Sequence, residues 1–260
     1  MRILVTLALE NEFAPWRAIH RFHHGKWGAA DAYFCEIGEA DVGVVLTGVG
    51  PKYARAEMAK IVWEDLGSIG FCISSGLTGA LRPEYQIGQL LAARTVVSGS
   101  VRRAGMGQTL ESSKPLIAFA GECGGTVVDR FHTAEHVIAR AEDKRRLGLT
   151  ADAVDMESFE VMLAAKSFGV PAVAIRAVSD DVDADLPAGM NEVFRDGGRV
   201  SIPRVLSHAV QHPQSIPGLV RLGQQSKRAA ELLAQFLESY VLAIALKARG
   251  LESRTAGTVV

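Results

Sequence analysis

The 260-residue chain sets 28 Lys and Arg against 29 Asp and Glu, a formal net charge of −1. Apolar residues make up 48% and charged ones 22%, which excludes bulk disorder, and the neutral balance excludes the basic stripe of a nucleic-acid binder. Cys35, Cys72 and Cys123 lie far apart without a CxxC pair, so neither a zinc knuckle nor a disulfide framework is indicated, and reduced thiols in a cytoplasmic protein are expected.

Residues 3–8 read as a buried first strand. The apolar run is too short for a secretory signal, and Glu10 and Glu12 stand where a small-residue cleavage site would be needed. Residues 13–21 then read as helical. A second strand over 42–47 is stopped by Gly48-Val49-Gly50, and a helical pattern runs over 51–66. Residues 69–75 form a third strand, broken by Gly76 and Gly79, and 89–97 a fourth after the turn signal of Gly88. Shorter strand candidates are 115–118 and 127–128. A helix over 155–168 is closed by Gly169, with Pro171 beyond. Residues 171–178 are an almost wholly apolar strand interrupted by Arg176. Beyond Asp185 the texture changes, to a loop over 186–196 and helices over 203–210, 216–222 and 225–247. Residues 241–246 are apolar nearly all round, which suits core, a second subunit or a lipid surface. No run of about 18 apolar residues occurs, so no membrane span is expected.

Continuously apolar strands separated by helices indicate a mostly parallel sheet covered on both faces. Such sheets bind ligands outside the carboxyl ends of their strands. Four ends qualify, at 9–12, 47–50, 74–79 and 179–181. Gly48 and Gly50 lack the third glycine of a dinucleotide fingerprint, yet the turn can bring N–H groups against an anion or a sugar hydroxyl. Asp155-Met156-Glu157-Ser158 opens an apolar helix. Its acids either serve the helix dipole or grip vicinal hydroxyls, since a carboxylate accepts two hydroxyl hydrogens. Ser179-Asp180-Asp181 is either a turn or the seat of a general acid. His20, His23 and His24 cluster without an acidic partner at helical spacing, so no metal site is expected.

Taken together, these motifs resemble the nucleoside phosphorylase superfamily that includes methylthioadenosine/S-adenosylhomocysteine nucleosidase. The resemblance covers residues 1–185 in chain order. It rests on 7–12, Thr47-Gly-Val-Gly-Pro-Lys52, Ser74-Ser-Gly-Leu-Thr-Gly79 with the turn at 85–89, Val154-Asp-Met-Glu-Ser158 and Arg176-Ala-Val-Ser-Asp180. It implies a three-layer α/β/α fold around a twisted, mostly parallel mixed sheet. Residues 1–185 are then the catalytic domain, 186–250 a helical extension packed on it, and 251–260 a flexible tail.

The implied activity is cleavage of the N-glycosidic bond of a purine nucleoside with release of adenine, in a homo-oligomer. Asp180 is implied to contact the base and protonate it as it leaves, helped by the like charge of Asp181. Glu12 is implied to activate water, Glu157 to hold the ribose hydroxyls, and Met156 to pack on the sugar. Ser74, Gly76 and Gly48 are implied to line the sugar and nucleophile pocket. Val137 and Ile138 fall where the family packs on the base, usually with an aromatic. No cofactor is implied. Phosphate is the alternative nucleophile, but Phe71 stands where phosphorylases place an arginine, leaving Arg82 or Arg176 as substitutes. The stretches 196–203 and 211–222 resemble hopanoid-associated phosphorylases. They imply adenosylhopane as substrate and a peripheral contact with the inner membrane face. A methylthioadenosine/S-adenosylhomocysteine nucleosidase, or a general purine nucleoside phosphorylase, is the alternative.

Overall fold

The computed structural model describes residues 1–63, 69–99, 108–187 and 213–256. The chain opens with β1 (Arg2–Leu7), α1 (Glu10–Ile19), the hairpin β2 (His23–Trp27) and β3 (Ala30–Ile37), β4 (Ala40–Leu46) and α2 (Pro51–Met58). It continues through β5 (Ile69–Ser74), β6 (Leu77–Ala80), β7 (Leu90–Ser98), β8 (Thr109–Glu111), α3 (Lys114–Glu122) and β9 (Thr126–Thr133). Next come α4 (Ala141–Leu147), β10 (Ala153–Asp155), α5 (Ser158–Ser167), β11 (Ala172–Asp180) and a long α6 (Ile216–Ala256).

The described strands form one mixed sheet in the order β2-β3-β4-β1-β5-β11-β6-β10-β9-β7-β8. β7 also pairs antiparallel with β11, so β11, β6, β10, β9 and β7 close on themselves as a small barrel. The N-terminal half of β11 pairs with β5 (Ala174 opposite Ser74), and its C-terminal half with β6 (Ala177 opposite Leu77). The barrel therefore begins where the chain crosses from β5 to β6, at Ser75 and Gly76.

Alternation along the strands divides the core. Ile3, Val5 and Leu7 face α1, α3 and α6, packing with Phe13, Trp16, Leu116, Leu233 and Tyr240. Leu4 and Cys72 face α2 and α5, packing with Met58, Phe159, Met162 and Ala165. This is the expected three-layer architecture. The apolar side of α6 is part of that core: Ala229, Leu237, Val241 and Ile244 are buried in the same cluster as β1 and β4. α6 is the one described helix long and apolar enough to cross a membrane, and 56% of its most apolar stretch is buried. Leu242 and Leu246 remain exposed.

Several expectations need correction. Residues 115–118 are not a strand but lie in α3, where Pro115 occupies the first turn and Leu116, Ile117 and Ala120 are buried at helical spacing. The short candidate at 127–128 is the middle of the longer β9. α2 stops at Met58, short of the helix expected to run to residue 66, whose end lies outside the described residues. The helix over 155–168 begins later, after Asp155 completes β10. α6 runs unbroken through Gly223, where two helices were expected. Nothing crowds Gly223, and packing of the flanking turns outweighs its weak helix preference of about 1 kcal/mol. The expected helix over 203–210, the 196–203 motif, most of the loop over 186–196 and the last four residues of the tail lie outside the described residues.

Candidate active site

Glu12 sits in the first turn of α1, just past the end of β1. Its Oε2 accepts the N–H groups of Ala8 (2.8 Å) and Leu9 (3.1 Å), folding back on the helix start as in one half of a capping box. The N–H of Leu77 approaches Oε1 at 3.4 Å. Gly76 explains the closeness: a Cβ there would lie 3.3 Å from Oε2, and its φ of +141° disfavours other residues. Burial raises the Glu12 pKa above its ordinary value, against the pull of Arg176 and the three N–H groups. A buried carboxyl with raised proton affinity is suited to act as a base.

Glu157 precedes α5. Its Oε1 accepts the N–H of Gly50 at 2.7 Å, which ties the end of β10 to the glycine turn after β4. Gly48 (φ 75°) and Gly50 (φ 105°) make that turn, and Pro51 starts α2 directly after it. A Cβ on Gly50 would touch the Met156 side chain at 3.8 Å. Burial, reinforced by the negative charge of Asp155, pushes Glu157 up to about 8, against the pull of Arg176 and the Gly50 N–H.

Asp180 ends β11 at an irregularity in register. Val178 pairs with Thr78 and Asp180 with Gly79, leaving Ser179 as the extra residue. Bulges of this kind re-aim side chains beside active sites. The Ser179 hydroxyl lies 2.9 Å from Asp180 Oδ1 and 3.2 Å from Thr78 O, within donating distance of either. A Cβ on Gly79 would fall 3.0 Å from Asp180 Oδ2, so glycine is what admits the carboxylate. Asp180 Oδ2 is paired with Lys144 Nζ at 2.5 Å, and the lysine side chain is fully buried.

Asp181, expected to act on Asp180 by like charge, is turned elsewhere. Its Oδ1 accepts the N–H groups of Asp183 (3.1 Å) and Ala184 (2.8 Å) in a tight turn. The charge beside Asp180 is thus positive, from Lys144.

These groups surround one cavity of about 220 Å³. Glu12, Glu157, Asp180, Met156, Val137 and Ile138 all line it, although they come from α1, β11 and two separate connections. Gly79 and Val154 form part of the wall. Asn11, His136, Leu222 and Ser226, not singled out from the sequence, also reach it. Among the described residues, no lysine or arginine lines it. Ser74, Gly76 and Gly48 do not form its lining. Ser74 is completely buried behind it, Gly76 backs Glu12, and Gly48 shapes the turn that carries Val49 into the wall.

Behind the cavity lies a buried polar network. The Arg176 guanidinium pairs with Asp155 Oδ2 (2.8 Å) and donates to Ser74 Oγ (3.2 Å) and to the Ile175 carbonyl (3.2 Å). Asp155 also accepts from Thr133 (2.7 Å) and, closely, from Ser158. Arg82 is engaged by Asp152 (3.2 Å). Both candidate phosphate-holding arginines are therefore paired with carboxylates, Arg82 with Asp152 away from the cavity and Arg176 with Asp155 at its wall. His20 contacts Glu238 (2.6 Å) and His24 contacts Asp31 (3.2 Å). No group of three or more metal-ligating side chains occurs among the described residues. Burial pushes the Cys72 thiol up to about 12, out of range for a nucleophile.

Three solved structures share the fold. Futalosine hydrolase of Helicobacter pylori (a mutant) is 18% identical over 93% of this chain and 98% of its own, with a TM-score of 0.70. The 5′-methylthioadenosine/S-adenosylhomocysteine nucleosidase of the same species is 18% identical over 93% and 97%, with a TM-score of 0.71. S-adenosylhomocysteine nucleosidase of Streptococcus pyogenes is 18% identical over 94% and 97%, with a TM-score of 0.69. No curated protein matches the sequence. The model of the phosphorylase superfamily matches residues 2–210. The chain belongs to the phosphorylase superfamily.

Proposed function

We propose that the protein hydrolyses the N-glycosidic bond of an adenine nucleoside. The observation that carries this reading is the convergence of Glu12, Glu157 and Asp180 on one cavity that no lysine or arginine lines among the described residues. Breaking C1′–N9 builds positive charge on the sugar and negative charge on the base. Carboxylates around the sugar stabilise the first, and protonation relieves the second. Glu12 takes a proton from a water that attacks C1′. Glu157 holds the ribose hydroxyls, with Met156 against the sugar. Asp180 meets the base, which packs against Val137, Ile138 and Val154. Water is favoured over phosphate because the two candidate arginines, Arg82 and Arg176, are already paired with Asp152 and Asp155. The similar structures, a futalosine hydrolase and a methylthioadenosine/S-adenosylhomocysteine nucleosidase, fit a water-dependent reaction on a nucleoside.

The 5′ substituent is read as apolar. Leu222 of α6 reaches the cavity, and Ile216 and Val220 near the same end of α6 are exposed. With the resemblance over 211–222, this favours a lipid-linked adenosine such as adenosylhopane, met at a membrane surface. Methylthioadenosine or S-adenosylhomocysteine is the competing substrate. Adenine release from adenosylhopane in vesicles is expected to exceed release from either soluble thioether, and to be independent of phosphate. Preference for a thioether would replace the lipid reading, and dependence on phosphate would replace the water reading.

The ribose role has its own test. With a pKa of about 8, Glu157 is mostly protonated in the empty site at pH 7. Two ribose hydroxyls donating to it favour the ionised form. Nucleoside binding is therefore expected to release close to one proton at pH 7, and to tighten as pH rises toward 8. Calorimetry in buffers of different ionisation enthalpy measures this, and a binding enthalpy unaffected by buffer would remove Glu157 from the ribose.

A further inference from the structure

The Asp180 carboxylate is not alone. Lys144, from α4, has a fully buried side chain, and its three N–H bonds have three acceptors: Asp180 Oδ2 at 2.5 Å, the Asp181 carbonyl at 2.8 Å and the Ala184 carbonyl at 3.1 Å. A buried ion pair is a weak source of stability, since its Coulomb gain barely repays the desolvation of both charges. This pair also has one member at the cavity wall and one sealed behind it. Asp180 Oδ2 accepts an N–H of that ammonium, and a carboxylate held in this bond has no hydrogen of its own to give a leaving base. A proton is nevertheless present, one bond further back.

The geometry points to Lys144 as a positioning residue that supplies the leaving-group proton through Asp180, so that the working acid is the pair and not the aspartate. The inference rests on the proposed base release. As C1′–N9 breaks, its electron pair goes to the purine. The purine takes a proton at N7 from Asp180, and Asp180 Oδ2 takes one from Lys144 Nζ. Water adds to C1′ and loses its proton to Glu12. Lys144 ends neutral, Asp180 ends as it began and Glu12 ends protonated. One proton passing from Glu12 through solvent to Lys144 after product release restores the enzyme.

The charged groups on the elements packed around the pair are few. Asp181 and Asp185 are on the turn after β11. Asp181 accepts the N–H groups of that turn, and Asp185 caps the N–H of Ala141 at the head of α4. Glu12, Asp155, Glu157 and His136 face the pair from the rest of the cavity lining.

The test compares two leaving groups in the intact protein. Adenosine and 5′-methylthioadenosine release a purine that needs a proton, whereas 4-nitrophenyl β-riboside releases a phenolate that does not. In Lys144→Met, kcat for adenine release at pH 8 is expected to fall about 10²–10³-fold, the range for a lost general acid, with KM little changed. Nitrophenolate release is expected to stay near the wild-type rate. Parallel loss of both activities at every pH would reduce Lys144 to a structural role and overturn the inference while leaving base release intact. Failure of the wild-type protein to release adenine from either nucleoside and from adenosylhopane in vesicles would overturn the proposed function itself. Should the methionine variant not fold, Lys144→Arg decides, since it keeps a cation beside Asp180 that does not give up its proton. Adenine release lost with nitrophenolate release kept supports the lysine proton, and loss of both or of neither overturns the inference.

Discussion

Glu12→Gln is expected to lower kcat for base release by about 10²–10⁴-fold, the usual cost of removing a general base, with the fold intact. The amide is isosteric with the carboxylate and its oxygen can still accept the Ala8 and Leu9 N–H groups, so the start of α1 is preserved. What it loses is the capacity to take a proton from water. The sign of the pH dependence follows from burial. The Glu12 pKa is raised, so the base is progressively protonated as pH falls through that raised value. Wild-type activity is expected to fall on the acid side, and the residual activity of the variant to lack that limb. Steady-state kinetics across pH for both proteins check this. An unchanged kcat in the variant would remove Glu12 from the chemistry.

Arg176→Met is expected to cost about 3–5 kcal/mol of stability, the cost of leaving a buried charge without its partner. The side chains of Arg176 and Asp155 are 1% and 0% exposed, so the orphaned carboxylate would have no water to turn to. Against a total stability of about 5–15 kcal/mol, such a loss leaves little folded protein at elevated temperature. Urea unfolding followed by circular dichroism gives the number. Adding Asp155→Asn to the variant is expected to recover part of the loss, because the amide carries no unpaired charge. If Arg176 instead held a catalytic anion, its removal would spare stability and abolish turnover.

The sequence made the layers legible because apolar strands and amphipathic helices differ in period. Ile3, Val5 and Leu7 alternate with residues of the opposite face, and Leu233, Leu237, Tyr240 and Ile244 recur along α6. The sequence does not reveal α3, because the four residues Pro-Leu-Ile-Ala at 115–118 are too short a window to separate a buried helix from a strand. The glycines after β4 and β5 and the acids after β1 and β11 stood at strand ends, where position alone signals a ligand. Lys144 gave no such signal. It sits in the charged run 142–146, whose other members are exposed or half-buried, and only the turn of Asp181 to Ala184 folds acceptors over it. The commitment of Arg176 to Asp155 was equally hidden, because it depends on β10 and β11 both bordering β6 in the closed barrel.

The central claim is water-dependent cleavage at C1′ by Glu12 and Asp180. Incubation of the protein with an adenine nucleoside in ¹⁸O-labelled water, followed by mass analysis of both products, tests it most directly. The expected result is free unlabelled adenine and a sugar carrying one ¹⁸O at C1′, with or without phosphate. Intact nucleoside, a sugar 1-phosphate formed only when phosphate is present, or label in the purine ring would contradict it.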